Sequence, residues 1–379
     1  EMATTFKTFL NNDIASTKTL LHEAIPITGS LLSGTYGTNN TANEWPNEEN
    51  IKNYSHGMFQ TVFDYPYLSS SANHILDLTV GYSSRSPASA STSVQNSKKI
   101  NIYNQMAQML QGYDATGSIL RFDEDGDTTG GGTKMDECVF INLARLLTKD
   151  EIKKGSFQLK LGTGSFIEPM GDGAGGLDGL VTINDAHAVN DYRVNSPAGE
   201  YAILTMSVGQ TEQNPRNSRA GLIFYQAGIV VLSGSVFTNY LSGGLLAGGA
   251  NNQSPAVRAD ENNSEQTFFH LMTGSVLSAS CDAFRHRIYD MSFNNTTELN
   301  STIHFCRANH NDFNYSANPT YLSGSKIRVK NNTLDSPVSY ITTVGLYSAD
   351  NELLAVAKLS EPLKKDPTNE MTIRVRLDY

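Results

Sequence analysis

Apolar and polar residues alternate most cleanly at the end of the chain. In MTIRVRLDY, residues 371–379, Ile373, Val375, Leu377 and Tyr379 fall on one side, while Thr372, Arg374, Arg376 and Asp378 fall on the other. This period of two predicts a strand with one buried and one wet face, as in an antiparallel sheet. Similar runs predict strands within 56–66 and 73–82 and from 139 onward: VFINLARLL, SFQLKLG, EYAILTMSVG, STIHFCRA, SKIRVKN, SYITTVGLY and ELLAVAKL. AGLIFYQAGIVVLSGSVF, 220–237, reads as a buried hairpin turning at Gln226–Gly228.

Three segments carry helical spacing instead. Phe6, Leu10, Ile14, Leu21 and Ile25 recur near helical spacing until Pro26, predicting an N-terminal amphipathic helix. Ser97 caps a second helix with Ile102, Met106 and Leu110 inward. A third spans 264–288 with Phe268, Leu271, Val276 and Phe284 inward. SSRSPASASTSVQNS, 83–97, reads as a polar linker. The fold class expected is therefore mainly β, antiparallel sheets or a sandwich, with a few helices. Its segments are an N-terminal helix and arm (1–45), a central β-rich domain with inserted helices (46–325) and a C-terminal antiparallel β module (326–379).

Composition narrows the partners. Only 17% of the 379 residues are charged and the net charge is −10, so no basic surface is expected to neutralise phosphates and no nucleic acid is expected as partner. Apolar runs fall short of the ~20 residues of a membrane helix, so no membrane insertion is expected. No Lys/Arg-led apolar segment opens the chain, which predicts no signal peptide. Three scattered cysteines, Cys138, Cys281 and Cys306, do not form a disulfide framework and suit a reducing cytoplasm.

The candidate chemistry is sparse. DEDGDTTGGG, 123–132, spaces Asp123, Asp125 and Asp127 like the first ligands of a calcium loop. However, Thr128 and Lys134 stand where an EF-hand has Gly and Glu, and the flanks read as strands. A solvated acidic hairpin loop is the better reading, with a non-helical cation loop as the alternative. HFCRANHND, 304–312, offers His304, Cys306 and His310 to zinc but lacks a second ligand pair nearby. GDGAGG, 171–176, matches the glycine spacing of a dinucleotide loop without the strand before it or the helix after it. In CDAFRHR, Cys281 and His286 stand five residues apart, poor geometry for a nucleophile and its base; a small core Cys with surface Arg and His is expected. No catalytic residue and no cofactor is assigned.

YITTVGLYSADNELLAVAKLSEPLKKDPTNEMTIRVRLDY, 340–379, resembles a strand–turn–strand module of baseplate-associated and fibre-attachment proteins in contractile-tailed bacteriophages. NNTTELNSTIHFCRANHNDFNYSANPTYL, 294–322, and SHGMFQTVFDYPYLSSSANHILDLTVGY, 55–82, are similar to virion structural proteins of such phages. The resemblance implies a non-enzymatic virion subunit at or near the baseplate, present in several copies. It would be assembled in the host cytoplasm and contact other tail, baseplate or fibre proteins. Two alternatives stand beside it: an exposed receptor-binding or decoration protein, and a tail-associated enzyme that degrades carbohydrate or peptidoglycan.

Overall fold

The computed structural model describes residues 6–33, 48–90, 95–127, 132–162, 180–208, 219–236, 258–259, 265–266, 276–316, 322–323, 326–327, 334 and 336–379. From the N-terminus, β1 (Ile14–Thr28) is followed by the short helix α1 (Gly29–Ser33), then β2 (Ile51–Asn53), β3 (Gln60–Phe63) and β4 (His74–Tyr82). Helix α2 (Asn96–Leu110) leads to β5 (Glu137–Leu143), the single turn α3 (Arg145–Thr148), β6 (Glu151–Ile152), β7 (Gln158–Gly162) and β8 (Leu180–Asn184). Next come β9 (Arg193–Ser196), β10 (Gly199–Val208), β11 (Arg219–Phe224), β12 (Ile229–Ser233), β13 (Arg258–Ala259), β14 (Glu265–Gln266) and α4 (Leu277–Arg285). The last third holds β15 (Ile288–Ala308), β16 (Leu322–Ser323), β17 (Lys326–Ile327), β18 (Ser339–Tyr347), β19 (Leu353–Lys365) and β20 (Met371–Asp378). The protein is mainly β.

Two compact units divide the chain: a central unit, residues 22–297, and a terminal unit, residues 1–21 with 298–379. The boundaries expected from sequence lay near 45 and 325.

In the central unit the hydrogen-bonded order is β7-β8-β10-β11-β12-β5-β4-β3-β2, with β15 on the far side of β7. Every register described here is antiparallel. All of β12 and most of β5 and β11 are buried, which explains their near-continuous apolar runs: a strand covered on both faces has no wet side to alternate with. The hairpin expected at 220–237 is present as β11 and β12, turning through residues 225–228. Helix α2 buries Ile102 and Leu110 and packs on β4. Gly81 permits that approach, because a Cβ there would come within 2.8 Å of the Lys99 carbonyl and the Tyr103 amide.

Ser97, expected to cap α2, lies inside it, since the helix starts at Asn96 after Gln95. Three larger sequence expectations also need correction. The N-terminal helix is a strand: residues 14–28 form β1, preceded by a 3-10 turn at Asn11–Asp13. Six of its fifteen residues are β-branched (Ile14, Thr17, Thr19, Ile25, Ile27, Thr28), and Pro26 is tolerated because β1 ends the strand order. The helix expected over 264–288 is described only as Leu277–Arg285; Glu265–Gln266 is a strand, Ile288 opens β15 and Val276 is exposed. Phe268 and Leu271 lie outside the described residues.

The third correction concerns Arg285, His286 and Arg287, expected at the surface and all buried. Arg285 donates through Nη1 and Nη2 to both oxygens of Glu48, at 2.6 and 2.5 Å. It also donates to Asp282 Oδ1 at 2.8 Å, Gln60 Oε1 at 3.1 Å and the Leu32 carbonyl at 2.5 Å. His286 Nε2 lies 3.0 Å from Glu48 Oε1, and Arg287 donates to the Gly162 carbonyl at 3.0 Å. A buried guanidinium survives when carboxylates and carbonyls satisfy its donors. Burial opposes ionisation of Glu48, but the bonds from His286 and Arg285 outweigh it and hold the carboxyl down to about 2. Burial pushes His286 below the ordinary imidazole value. The network fastens α4 to α1, β3 and Glu48, three residues before β2.

In the terminal unit β20 pairs with β15 from Ser301↔Asp378 to Ala308↔Met371, and Asn300 and Tyr379 exchange both backbone hydrogen bonds, at 3.1 and 2.9 Å. The alternation in β20 is as expected, with Val375 buried and Ile373 and Leu377 half-buried. Tyr379, however, is 75% exposed. The apolar face ends before the chain does; the Tyr379 hydroxyl instead meets Thr302 Oγ1 at 3.1 Å. Lys365 is fully buried, its ammonium held by Asn314 Oδ1 at 2.7 Å and the carbonyls of Asp366 and His310 at 2.9 and 3.3 Å.

Candidate functional site

The central unit holds a cavity of about 360 Å³ where α2 passes over one face of β4 and β5. The strands pair Asp77 with Asn142 and Thr79 with Phe140, so these four side chains share a face and form the floor. Ile102, Gln105 and Met106 of α2 make one wall, and His56, Met58 and Phe59, from the turn between β2 and β3, make the other. The same strand face carries Gly81, where the helix comes closest; nearer the start of β4 the polar residues Asp77 and Thr79 occupy positions that a simple sheet–helix core would fill with apolar side chains.

The polar groups of the cavity are held from behind. Asp77 Oδ1 accepts from Thr61 Oγ1 at 2.6 Å and lies 3.1 Å from His74 Nε2; Asn142 Nδ2 is 3.4 Å from Oδ2. Burial works against the Asp77 carboxylate, but the bonds from His74 and Thr61 outweigh it and lower its pKa; the bond to Asp77 raises that of His74. Thr79 Oγ1 donates to the Met58 carbonyl at 2.6 Å, and the Met58 amide donates to His56 Nδ1 at 3.0 Å. That amide bond assigns the proton of a neutral His56 to Nε2. Tyr54, His56 and Phe59 cluster at ring-centroid distances of 4.9–5.1 Å. Neither this turn nor α2 announces a cavity in sequence; the signal available was Asp77 and Thr79 interrupting the apolar pattern of HILDLTVGY.

The acidic loop is built more tightly than a solvated hairpin tip. Asp123 is buried and forms an isolated bridge with Lys134, whose ammonium sits on the Asp123 carboxylate. One oxygen from each of Asp123, Asp125 and Asp127 lies within 4.8 Å of the others. The amides of Asp125 and Asp127 donate to Asp123 Oδ1 and Asp125 Oδ1 at 3.1 and 3.3 Å. A Cβ at Gly132 would come within 2.8 Å of both the Asp123 and Asp125 carboxylates. Burial raises the Asp123 carboxyl, while the hydrogen bond to Asp123 lowers that of Asp125. Positive charge is already present: Lys134 on Asp123, with Arg219 Nη1 4.0 Å from Asp125 Oδ2.

The zinc candidates do not converge. Among the described residues, the Asp123, Asp125 and Asp127 trio is the one group of three or more His, Cys, Asp or Glu side chains with ligand atoms this close. His304 and Cys306 sit two residues apart on β15 opposite Val375 and Ile373, whereas exposed His310 lies 3.2 Å from Glu370 Oε1. Cys281 is buried, with its thiol against the Leu78 carbonyl at 3.4 Å and its pKa pushed up by burial, while His286 is committed to Glu48. The glycine loop 171–176 lies outside the described residues.

The terminal unit presents a different surface. The ribbon β18–β19 pairs Val344 with Ala357 and Leu346 with Ala355 on one face, where Leu346 is buried. Its other face pairs Gly345 with Val356 and Tyr347 with Leu353. Tyr347, Leu353 and Val356 remain 46–52% exposed, and the exposed Phe6 ring meets Tyr347 edge-on at 5.0 Å.

Comparison with protein-family models, with curated proteins and with solved structures returns no match.

Proposed function

We propose that this protein is a non-enzymatic structural subunit of a contractile-tailed phage particle, in or beside the baseplate, and that copies of it associate through the β18–β19 ribbon. The observation that carries this reading is the uncovered apolar face of Tyr347, Leu353, Val356 and Phe6. A two-stranded ribbon is marginal by itself in water, and a clustered apolar face on one is characteristic of an association surface.

Charge favours a second copy as the occupant. The terminal unit carries 11 Lys and Arg against 11 Asp and Glu, whereas the central unit carries 17 against 27. The whole net charge of −10 therefore belongs to the central unit, and like-charge repulsion between copies is least where the neutral units meet. Lys358, Lys364 and Pro362 on β19 suit an edge guarded against indiscriminate strand addition, leaving the face as the place of contact. The resemblance of residues 340–379 to baseplate and fibre-attachment modules supports the same role.

Sedimentation velocity tests the association. The intact chain is expected to self-associate with rising concentration, and Tyr347→Ser with Val356→Ser to weaken this at least tenfold without lowering the melting temperature. A chain that stays monomeric, or one whose association ignores both substitutions, overturns the reading.

A further inference from the structure

The cavity under α2 calls for an occupant of its own, because its polar lining is arranged rather than merely present. We propose that it binds a neutral pyranose ring, the sugar unit of a glycan, with the ring hydroxyls taken by Asp77, Asn142, Gln105 and His56 and an apolar ring face against Phe59 and Met106.

Volume and lining agree with a ligand site: about 360 Å³, mostly apolar walls and a few convergent polar groups. The chemistry of those groups narrows the class. No Lys or Arg lines the cavity, so an anion finds no countercharge. Asp77 is the one carboxylate in the lining, and its Oδ1 is engaged from outside by His74 at 3.1 Å and by the Thr61 hydroxyl. A cationic ligand would have to compete with that existing pair. What remains toward the lumen is neutral hydrogen-bonding capacity. Asp77 Oδ2 retains acceptor capacity beyond its long contact with Asn142, and Asn142 retains its carbonyl oxygen. His56 offers Nε2–H, since Nδ1 accepts from the Met58 amide. Gln105 makes no hydrogen bond among the described residues and keeps both its amide donors and its acceptor. Planar carboxylate and amide groups each match two neighbouring hydroxyls, and Phe59 with Met58, Met106 and Ile102 supplies the surface for C–H groups. Few other small molecules combine alternating hydroxyl donors and acceptors around the rim with an apolar face.

Saturation-transfer NMR on the full chain tests this, with methyl glycosides of glucose, galactose, mannose and N-acetylglucosamine as probes, and cadaverine and glucose 6-phosphate as charged comparators. At least one neutral glycoside is expected to show saturable transfer. Gln105→Ala, which removes an exposed side chain without an internal partner, should weaken that binding about 2–10-fold, the range of one lost hydrogen bond. Met106→Trp, which fills the cavity, should abolish it, and both variants should melt as the unmutated chain does. Transfer from no glycoside, transfer only from a charged comparator, or glycoside binding indifferent to Gln105→Ala overturns the proposal. Tyr347→Ser with Val356→Ser should leave the signal unchanged, so this result stands or falls apart from the association test.

Discussion

Replacing Glu48 by Gln keeps the shape of the side chain and removes the better buried of the two carboxylate charges, Glu48 and Asp282, that balance Arg285. Two independent routes give the size of the effect. The folded carboxyl is held down from 4.5 to about 2. Lowering a pKa by one pH unit corresponds to about 1.4 kcal/mol, so the bonds to ionised Glu48 contribute about 3 kcal/mol at neutral pH. Breaking a buried ion pair by removing one partner costs about 3–5 kcal/mol in general. The Glu48 side chain is 13% exposed and that of Arg285 not at all, so solvent screening removes little of this. A depressed folded pKa stabilises the protein above the unfolded value, and that contribution is lost as pH falls from 4.5 toward 2. Urea unfolding followed by circular dichroism should therefore show Glu48→Gln less stable by about 3 kcal/mol at pH 7 and pH 5.5, with the gap narrowed to roughly 1.4 kcal/mol at pH 3 and nearly closed by pH 2. Arg285→Met should cost at least as much, and the double variant less than the two single costs combined. A loss under about 1 kcal/mol at pH 7, or an equal gap at pH 7 and pH 3, would refute the claim that this network fastens α4 in place.

Tyr225→Phe should cost about 1–3 kcal/mol in the same assay, because buried Asp185 loses the 2.8 Å phenol bond and is left with backbone amides such as those of Gly155 and Phe157; a neutral result would mean that those amides suffice. Deleting residues 372–379 should leave the chain insoluble, since it strips β15 of its partner from Ser301 to Arg307, while Arg374→Ala with Arg376→Ala stays folded; a soluble, cooperatively melting deletion protein would show β20 to be dispensable. The unmutated protein should melt at the same temperature in calcium and in chelator, because Lys134 already places its charge on Asp123; a calcium-dependent rise lost in Asp125→Ala with Asp127→Ala would make the loop a cation site.

The strand-rich character of the chain was legible because period-two alternation and continuous apolar runs are local signals, as in β20 for the first and β11 and β12 for the second. Helix α2 was legible for the same reason, from Ile102, Met106 and Leu110. What could not be read were features decided by residues far apart in sequence. Residues 14–28 carry apolar side chains near helical spacing, yet they form a strand; the Glu23 amide meets Asn295 Oδ1 at 3.1 Å and His22 meets Thr296 Oγ1 at 3.2 Å, partners some 270 positions away. Arg285 looks like a surface residue until Glu48 is brought to it. The cavity depends on Asp77 and Asn142 falling opposite each other across two strands. In the acidic loop the spacing of the three aspartates was visible, but not the burial of Asp123 or its bond to Lys134.

The central proposal, a phage structural subunit whose ribbon is covered by its neighbour, is tested most directly by a cryo-EM map of the contractile-tailed particle that, on this proposal, contains the chain. The chain should be found in the tail, at or beside the baseplate, in several copies, with Tyr347, Leu353 and Val356 of each buried against another copy. A particle that lacks the chain, or one that displays it with this face bare to solvent, would contradict the account.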